Sequence, residues 1–539
     1  MYETPQAVRA QVAPDPLDMS QYQLNRLPKR ERSTVERWLV VLGGPLAILT
    51  FILLNFVITI PFLENIDPAK LSDSARLIFD AVGPEVFSAR AVAMLAIFAA
   101  GIVLWITEAV PNYQTSLMVI IALVLTGVLT EVDAYHQLGH KVMWLNIMSF
   151  ILASALVYTG VAKRFALWFI GRFGKKSSTV FLSFIVINVT LSAFISATTA
   201  KAAILLPIFM VVSAVYGATG GDKKNNFGRN MVLQNLFQIN MGAAAFVTGS
   251  GANLLAAAMI SGAIGAEIYF VDWMKVAFPM AMVMMVVGWI VGTRLIFPLS
   301  PEERKPHIAG GMERLQAELT KMGPIKLNEI KAIIIFLCVL GMWVTDRLHG
   351  VSPTAVAFLG AIVALLPKIG IIDWNDVDIP WHLLLFSAGA YTLGAGFKVT
   401  DLPRISVDAV FSGLGFGLQT PFAVLFLILT GTMLFSALVF QSKTMRTLVF
   451  IPIAIGVAQT FGYPVLSLAF PVALMIEHVY TLPFNSKPAA LLYVTDQYSL
   501  SDSFKFGFVM MLIAWGLLIV GAETYLRFMG ITPNGLGLF

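Results

Sequence analysis

Residues 179–216 form an apolar run about twice the length of a membrane crossing, with no charged loop in the middle. Its interruption falls at Ser196-Ala197-Thr198-Thr199 and Lys201. A re-entrant helical hairpin suits such a run better than two complete spans. Irregular backbone is tolerated at membrane depth only where protein or a water-filled cavity covers it. A second run of hairpin length, 419–458, carries Gln441-Ser442-Lys443-Thr444. A lysine there is costly unless water, a partner or a ligand compensates it. Similar tails follow the two patches, Ile204-Leu205-Leu206-Pro207 and Val449-Phe450-Ile451-Pro452. The chain therefore reads as an internal duplication with one polar break per copy.

Of the 539 residues, 58% are hydrophobic and 12% charged, about half the charged share of a soluble domain. A large soluble core would need charged surface that this chain lacks. The fold class is an all-α polytopic membrane protein of about eleven transmembrane helices plus two re-entrant hairpins, arranged as two inverted-topology repeats. The net charge of +5 is spread over loops and reads as topology, so no nucleic-acid partner is expected. Cys338, the single cysteine, cannot form an intramolecular disulfide.

Residues 1–37 are polar, with Arg26, Lys29, Arg30, Arg32 and Arg37 near the membrane end, and predict a cytoplasmic arm. Spans follow at 38–60, 91–110, 114–130 and 144–162. Around Phe165–Ile170 the residues Lys163, Arg164, Arg172, Lys175 and Lys176 suit an amphipathic helix along the interface. After the hairpin 179–216, the run 230–262 is broken at Thr248-Gly249-Ser250-Gly251-Ala252-Asn253. Glycines flanking Ser and Asn predict an unwound helix. A span at 273–298 closes the first unit, 38–298, and 299–327 is a polar cytoplasmic linker.

The second unit, 328–530, repeats the order. Spans near 330–346, 353–370 and 381–398 precede a short segment holding Asp401, Arg404 and Asp408. The hairpin 419–458 and the broken run 463–495, interrupted from Thr481 to Pro488, come next. A span at 506–528 and the tail 531–539 end the chain. Trp105-Ile106-Thr107-Glu108 and Trp343-Val344-Thr345-Asp346 mark matching positions. Lys and Arg concentrate in 1–37, 163–176, 223–229 and 294–331, whereas 61–89, 131–143 and 263–272 hold only Lys70, Arg76 and Lys141. The positive-inside rule then puts the N-terminus in the cytoplasm, and an odd span number per copy leaves the C-terminus outside. The acidic segment 371–379 fits its cytoplasmic place less well. The expected location is a bacterial inner (plasma) membrane.

Inverted repeats with broken helices place a binding site near the midplane. Half-helix N-termini favour anions, and Ser, Thr and Asn add neutral donors for carboxylate or sulfate oxygens. Lys201, Lys443, Lys487 and Arg446 add charge, so the residues point to an anion transporter. Glu477-His478 precedes the second break, and Glu477 is placed to pair with Lys487. His136 and His140 share a helical face but lack a third ligand and the His-Glu-x-x-His context, so neither metal nor cofactor is expected. Trp105, Trp144, Trp343 and Trp381 read as interface anchors or packing residues. A channel or an intramembrane enzyme is the different-class alternative, but no convergent nucleophile, base or metal set is visible.

These residues resemble the divalent-anion:sodium symporter family of di- and tricarboxylate transporters. Trp105-Ile106-Thr107-Glu108-Ala109-Val110-Pro111 is similar to its signature near the second helix, and the resemblance covers about 38–530. Family members carry Ser-Asn-Thr at each hairpin tip and a Pro-Pro-Asn or Gly-Ser-Asn type break in each unwound helix. Ser442-Lys443-Thr444 matches the second tip with Lys in place of Asn. The first tip fits either as Ser196-Ala197-Thr198 or, by distance to the proline, as Ala197-Thr198-Thr199. Asn253 matches the first break, while Lys487 and Ala489 stand at a proline and the asparagine of the second, next to Ser486.

In sodium-coupled members, the resemblance implies, tips and breaks coordinate Na⁺ and the tips also bind substrate carboxylates. An ammonium group cannot ligate a cation but can take its place. The resemblance thus implies a sodium-independent dicarboxylate or tricarboxylate exchanger, an elevator-type motion and a homodimer in the lipid bilayer. The alternative is a Na⁺- or H⁺-coupled symporter of a dicarboxylate or a sulfate-like oxyanion. The expected site comprises Ser196, Ala197, Thr198, Thr199, Asn253, Ser442, Lys443, Thr444, Ser486 and Lys487, with Lys201, Arg446 and Glu477 contributing charge.

Overall fold

The computed structural model describes residues 15–22, 34–174, 176–221, 223–308, 311–413, 420–440 and 442–538. Most of the predicted arm, with Arg26, Lys29, Arg30 and Arg32, lies outside them, as do Lys175, Gln441 and the first residue of the second hairpin run. After α1 (Thr34–Ile52), a first series runs α2 (Pro84–Thr107), α3 (Asn112–Leu125), α4 (Lys141–Thr159), α5 (Val161–Phe173), α6 (Ser177–Phe194), α7 (Thr198–Val215), α8 (Asn226–Ala245), α9 (Gly251–Ile264) and α10 (Phe270–Val291). The linker holds α11 (Gly311–Lys321). The series then recurs as α12 (Leu327–Val344), α13 (Pro353–Leu365), α14 (Trp381–Thr400), α15 (Leu402–Gly413), α16 (Phe422–Phe435), α17 (Lys443–Thr460), α18 (Val465–Leu474), α19 (Lys487–Tyr493) and α20 (Leu500–Glu523). Shorter helical turns are left unnumbered.

Among the described residues, nine helices are long and apolar enough to cross a membrane, and the protein is an all-α polytopic membrane protein. Each predicted span overlaps one of the helices. Two are shorter than expected, α3 with 14 residues and α13 with 13. The left-handed Gly127 (φ 69°) follows α3 closely. Leu366, held extended before Pro367, ends α13. The same device bends the chain between α4 and α5 and between α14 and α15: a single left-handed residue, Gly160 (φ 74°) or Asp401 (φ 51°). Asp401 pays part of that strain with a bond, its carboxylate accepting from Ser72 N at 2.7 Å.

The two series pack reciprocally, α3 on α14 and α13 on α4. The first contact is close because Gly389 faces Ser116; a Cβ on Gly389 would stand 2.4 Å from that of Ser116. Ser116 Oγ donates to the Phe386 carbonyl across it (3.2 Å). Trp105 and Trp343 are both buried rather than at an interface. Each indole N–H donates to the first carbonyl of the next helix, Asn112 at 3.4 Å and Pro353 at 3.0 Å.

The linker is more than a tether. α11 packs on α5 and buries Leu315. Arg164 of α5 bridges Glu329 at 2.6 Å and donates to the carbonyls of Met322 and Gly323. Residues 19–22 of the arm dock on α7 with Met19 buried, and Asp15 pairs with Arg314 of α11 at 2.5 Å.

Candidate functional site

α6 and α7 are joined by Ile195, Ser196 and Ala197, α16 and α17 by the residues up to Ser442, and the two helices of each run contact one another. The first residue of the returning helix is Thr198 in one and Lys443 in the other, with Ala197 and Ser442 at the cap. Pro207 and Pro452 then fall at the same place in their helices, as do Lys201 and Arg446. Ser442 Oγ accepts from Met445 N at 3.4 Å, whereas Ala197 offers no side-chain cap.

The breaks match as closely. Ser250 before α9 and Ser486 before α19 are both extended (φ −157° and −158°), and each hydroxyl accepts from the amide three residues on, Asn253 at 3.2 Å and Ala489 at 3.3 Å. Asn253 Nδ2 donates to the carbonyls of Ala243 and Phe246 (2.9 and 3.1 Å), tying α9 to the end of α8. Gly249 is required there, because a Cβ would meet the Ala243 carbonyl oxygen at 2.2 Å. In the second break Asn485 donates to the Ala437 carbonyl instead.

Tips and breaks interlock across the two units: α9 packs on α17 and α7 on α19. This brings Ser250 of the first break to Glu477 of the second, which accepts its hydroxyl proton on Oε1. The other oxygen of Glu477 holds Lys443 Nζ at 2.7 Å, with side chains only 1% and 15% exposed. The expected partner of Glu477, Lys487, is elsewhere. It is exposed, lies 3.3 Å from His382 Nε2 on α14, and is in electrostatic range of Glu108. Glu477 precedes the break by enough chain to face the tip of its own unit, whereas Lys487 opens α19 and faces α14.

Lys201 is closed off from the surface. It is fully buried and donates to Ser192 Oγ on the partner arm of its hairpin (2.8 Å). Arg446, equally buried, does the same with Ser436 Oγ at 2.9 Å. Its guanidinium also donates to the carbonyls of Met433 and of Ile476 (3.1 Å), with those of Leu434 and Met475 at 3.5 and 3.4 Å. These carbonyls belong to the C-terminal ends of α16 and α18, where the helix dipoles concentrate negative potential. Arg446 thus sits in a cage of hydroxyl and carbonyl oxygens. Lys201 is within electrostatic range of Lys443 and Glu477, and Arg446 of Glu477. His478 shares a hydrogen bond between Nδ1 and the Tyr480 hydroxyl (2.7 Å).

In the first unit the oxygens are different. Among the described residues, Ser196 Oγ, Thr248 Oγ1 and Asn253 Oδ1 find no partner in the protein although they are buried. Sequence reasoning also missed a ladder of carboxamides on α8: Asn230, Gln234, Asn235, Gln238 and Asn240 are all buried. Asn188 of α6 donates to Asn235 Oδ1 and Gln238 Oε1 (3.1 and 3.2 Å), and Gln234 to Asn230 Oδ1 (2.9 Å). The four-residue spacing of Asn230, Gln234 and Gln238 in an otherwise apolar run was the available signal.

Comparison with known proteins agrees with this architecture. Residues 77–532 match the family profile described as the sodium:sulfate symporter transmembrane region. A protein named sodium-dependent dicarboxylate transporter SdcS, from Staphylococcus saprophyticus, is 26% identical over 457 residues, covering 80% of this chain and 85% of its own. Dicarboxylate transporter 1, chloroplastic, from Spinacia oleracea is 30% identical over 354 residues, covering 64% and 61%. The putative malate transporter YflS of Bacillus subtilis is 27% identical over 296 residues, covering 54% and 60%. The match over most of its length makes this chain a transporter rather than an enzyme, and a member of the sodium:sulfate symporter family, also called the divalent-anion:sodium symporter family.

Proposed function

We propose that this protein is a sodium-independent exchanger of dicarboxylates, in which resident cations take the part that bound sodium plays in coupled relatives. The observation that carries the reading is Arg446, whose guanidinium occupies the oxygen cage at the ends of α16 and α18. A guanidinium stays charged at any physiological pH, so this cation cannot leave. The substrate class is taken from relatives named as dicarboxylate and malate transporters. The anion would sit between the tips and breaks, against Ser196, Ala197, Thr198, Thr199 and Asn253 of one unit and Ser442, Lys443, Thr444, Ser486 and Lys487 of the other.

The coupling follows from charge. Moving an unneutralised charge through the bilayer costs roughly 3 kcal/mol even on the mildest scale. An empty site with fixed positive charge would therefore return slowly, and a loaded one would move. Two inverted repeats, 38–298 and 328–530, with hairpins and broken helices as the moving body of an elevator, a dimer held by the remaining helices and a cytoplasmic N-terminus complete the proposal.

Its test is uptake of labelled succinate into proteoliposomes preloaded with unlabelled succinate or left empty, each with and without a sodium gradient. Uptake should need internal anion and ignore sodium. A second reading, sodium- or proton-coupled symport including that of sulfate-like oxyanions, is favoured by the unpartnered Ser196, Thr248 and Asn253 oxygens of the first unit. These are suitable hard ligands for a small cation. Sodium-dependent uptake into empty vesicles would support it.

A further inference from the structure

We infer that Glu477 is a specificity-determining residue: a resident carboxylate that sets the charge of the binding region and so selects dianions over trianions. The inference rests on the anion-transport reading above and adds a residue that reading does not use.

Glu477 is the acidic partner of the lysine at the second hairpin tip. It holds Lys443 at 2.7 Å, accepts from Ser250, and is within electrostatic range of Lys201 and Arg446. At 1% exposure its charge is screened by little water. Lys443 and Arg446 bring positive charge to the tip and break of the second unit, and Glu477 subtracts one unit from it. Each further negative charge on a ligand is therefore held less tightly than it would be without Glu477, so a trianion loses more than a dianion.

Glu477 and the ligand can also share one donor. Lys443 Nζ has three hydrogens and gives one to Glu477, so a substrate carboxylate can join the pair without displacing it. Ser250 fixes the second oxygen from the other unit, which keeps Glu477 from turning toward the anion. A purely structural role would be served as well by any hydrogen-bonding group of the same shape. The charge is what a glutamine would lose.

The experiment measures binding of matched anions to the purified full-length protein by calorimetry at about pH 8, where carboxylates are ionised. Tricarballylate is compared with glutarate, which has the same carbon backbone and one carboxylate fewer, and with succinate. The readout is the affinity ratio of the trianion to the tighter dianion. Glu477→Gln should raise this ratio roughly tenfold, the effect of one unit charge about 10 Å away at an effective dielectric near 20. Lys443→Gln should lower it by a similar factor, and Glu477→Gln combined with Lys443→Gln should return it to near the wild-type ratio. The order Lys443→Gln, double variant, Glu477→Gln can be read from any two variants that fold. Ratios that stay together while both affinities fall, or a double variant that keeps the single variant's preference, would overturn the inference. Wild-type protein that binds none of the three anions would instead overturn the dicarboxylate reading on which it rests.

Discussion

Arg446 and Lys201 occupy the same turn of α17 and α7, yet they are held very differently. Lys201 has Ser192, while Arg446 has Ser436 and the carbonyls at two helix ends. Replacing Arg446 by Met leaves buried carbonyls without a donor, at about 1–3 kcal/mol. We expect a clear fall in the melting temperature of the detergent-purified protein and loss of exchange. Arg446→Lys should recover part of the stability and little of the exchange, since a point charge cannot span the fork. An unchanged melting temperature for Arg446→Met would show that the cage does not depend on the cation. Asn253→Ala should cost about 2 kcal/mol by removing its bonds to Ala243 and Phe246, measured in the same way. Lys443 and Arg446 were both legible as charges in an apolar run. Their partners were not: Glu477 is 34 residues from Lys443, and backbone carbonyls leave no mark on a sequence.

At the scale of elements, the order of helices could be read from run lengths because each polar break falls between two apolar stretches. The broken helices were legible from Gly249, Ser250 and Asn253, which suit an unwound turn. Ser486 repeats the cap of Ser250 without the glycines, so the second break was legible chiefly from its prolines and polar residues. What could not be read was which helices meet. The α3–α14 contact depends on Gly389 and Ser116, two small residues far apart in the chain. Gly389→Ala should push these helices apart and destabilise the protein by about 1–3 kcal/mol, and Ser116→Gly should restore part of the loss. Size-exclusion profiles after heating check both. Failure of Ser116→Gly to help at all would place the strain elsewhere. The amphipathic α5 was expected to lie on the interface, and its basic face was legible. Its partner α11 was hidden in a linker that looked merely polar.

For the whole molecule, the proposed exchange needs the hairpins and breaks to move as a body that carries fixed charge. Phe194 on α6 packs edge-on against Phe336 on α12, ring centroids 5.4 Å apart, one place where the proposed moving body meets the proposed frame. In a Cys338→Ala background, Phe194→Cys with Phe336→Cys should be bridged by a reducible bifunctional thiol reagent, arresting exchange until reduction. Full bridging with undiminished exchange would argue against relative motion at this contact. The most direct test of the central claim is sodium and trans-anion dependence measured together. Labelled succinate is offered to proteoliposomes with and without internal succinate, in sodium and in choline buffers. The account predicts uptake only into anion-loaded vesicles, at equal rates in both buffers. Uptake into empty vesicles that requires sodium would contradict it.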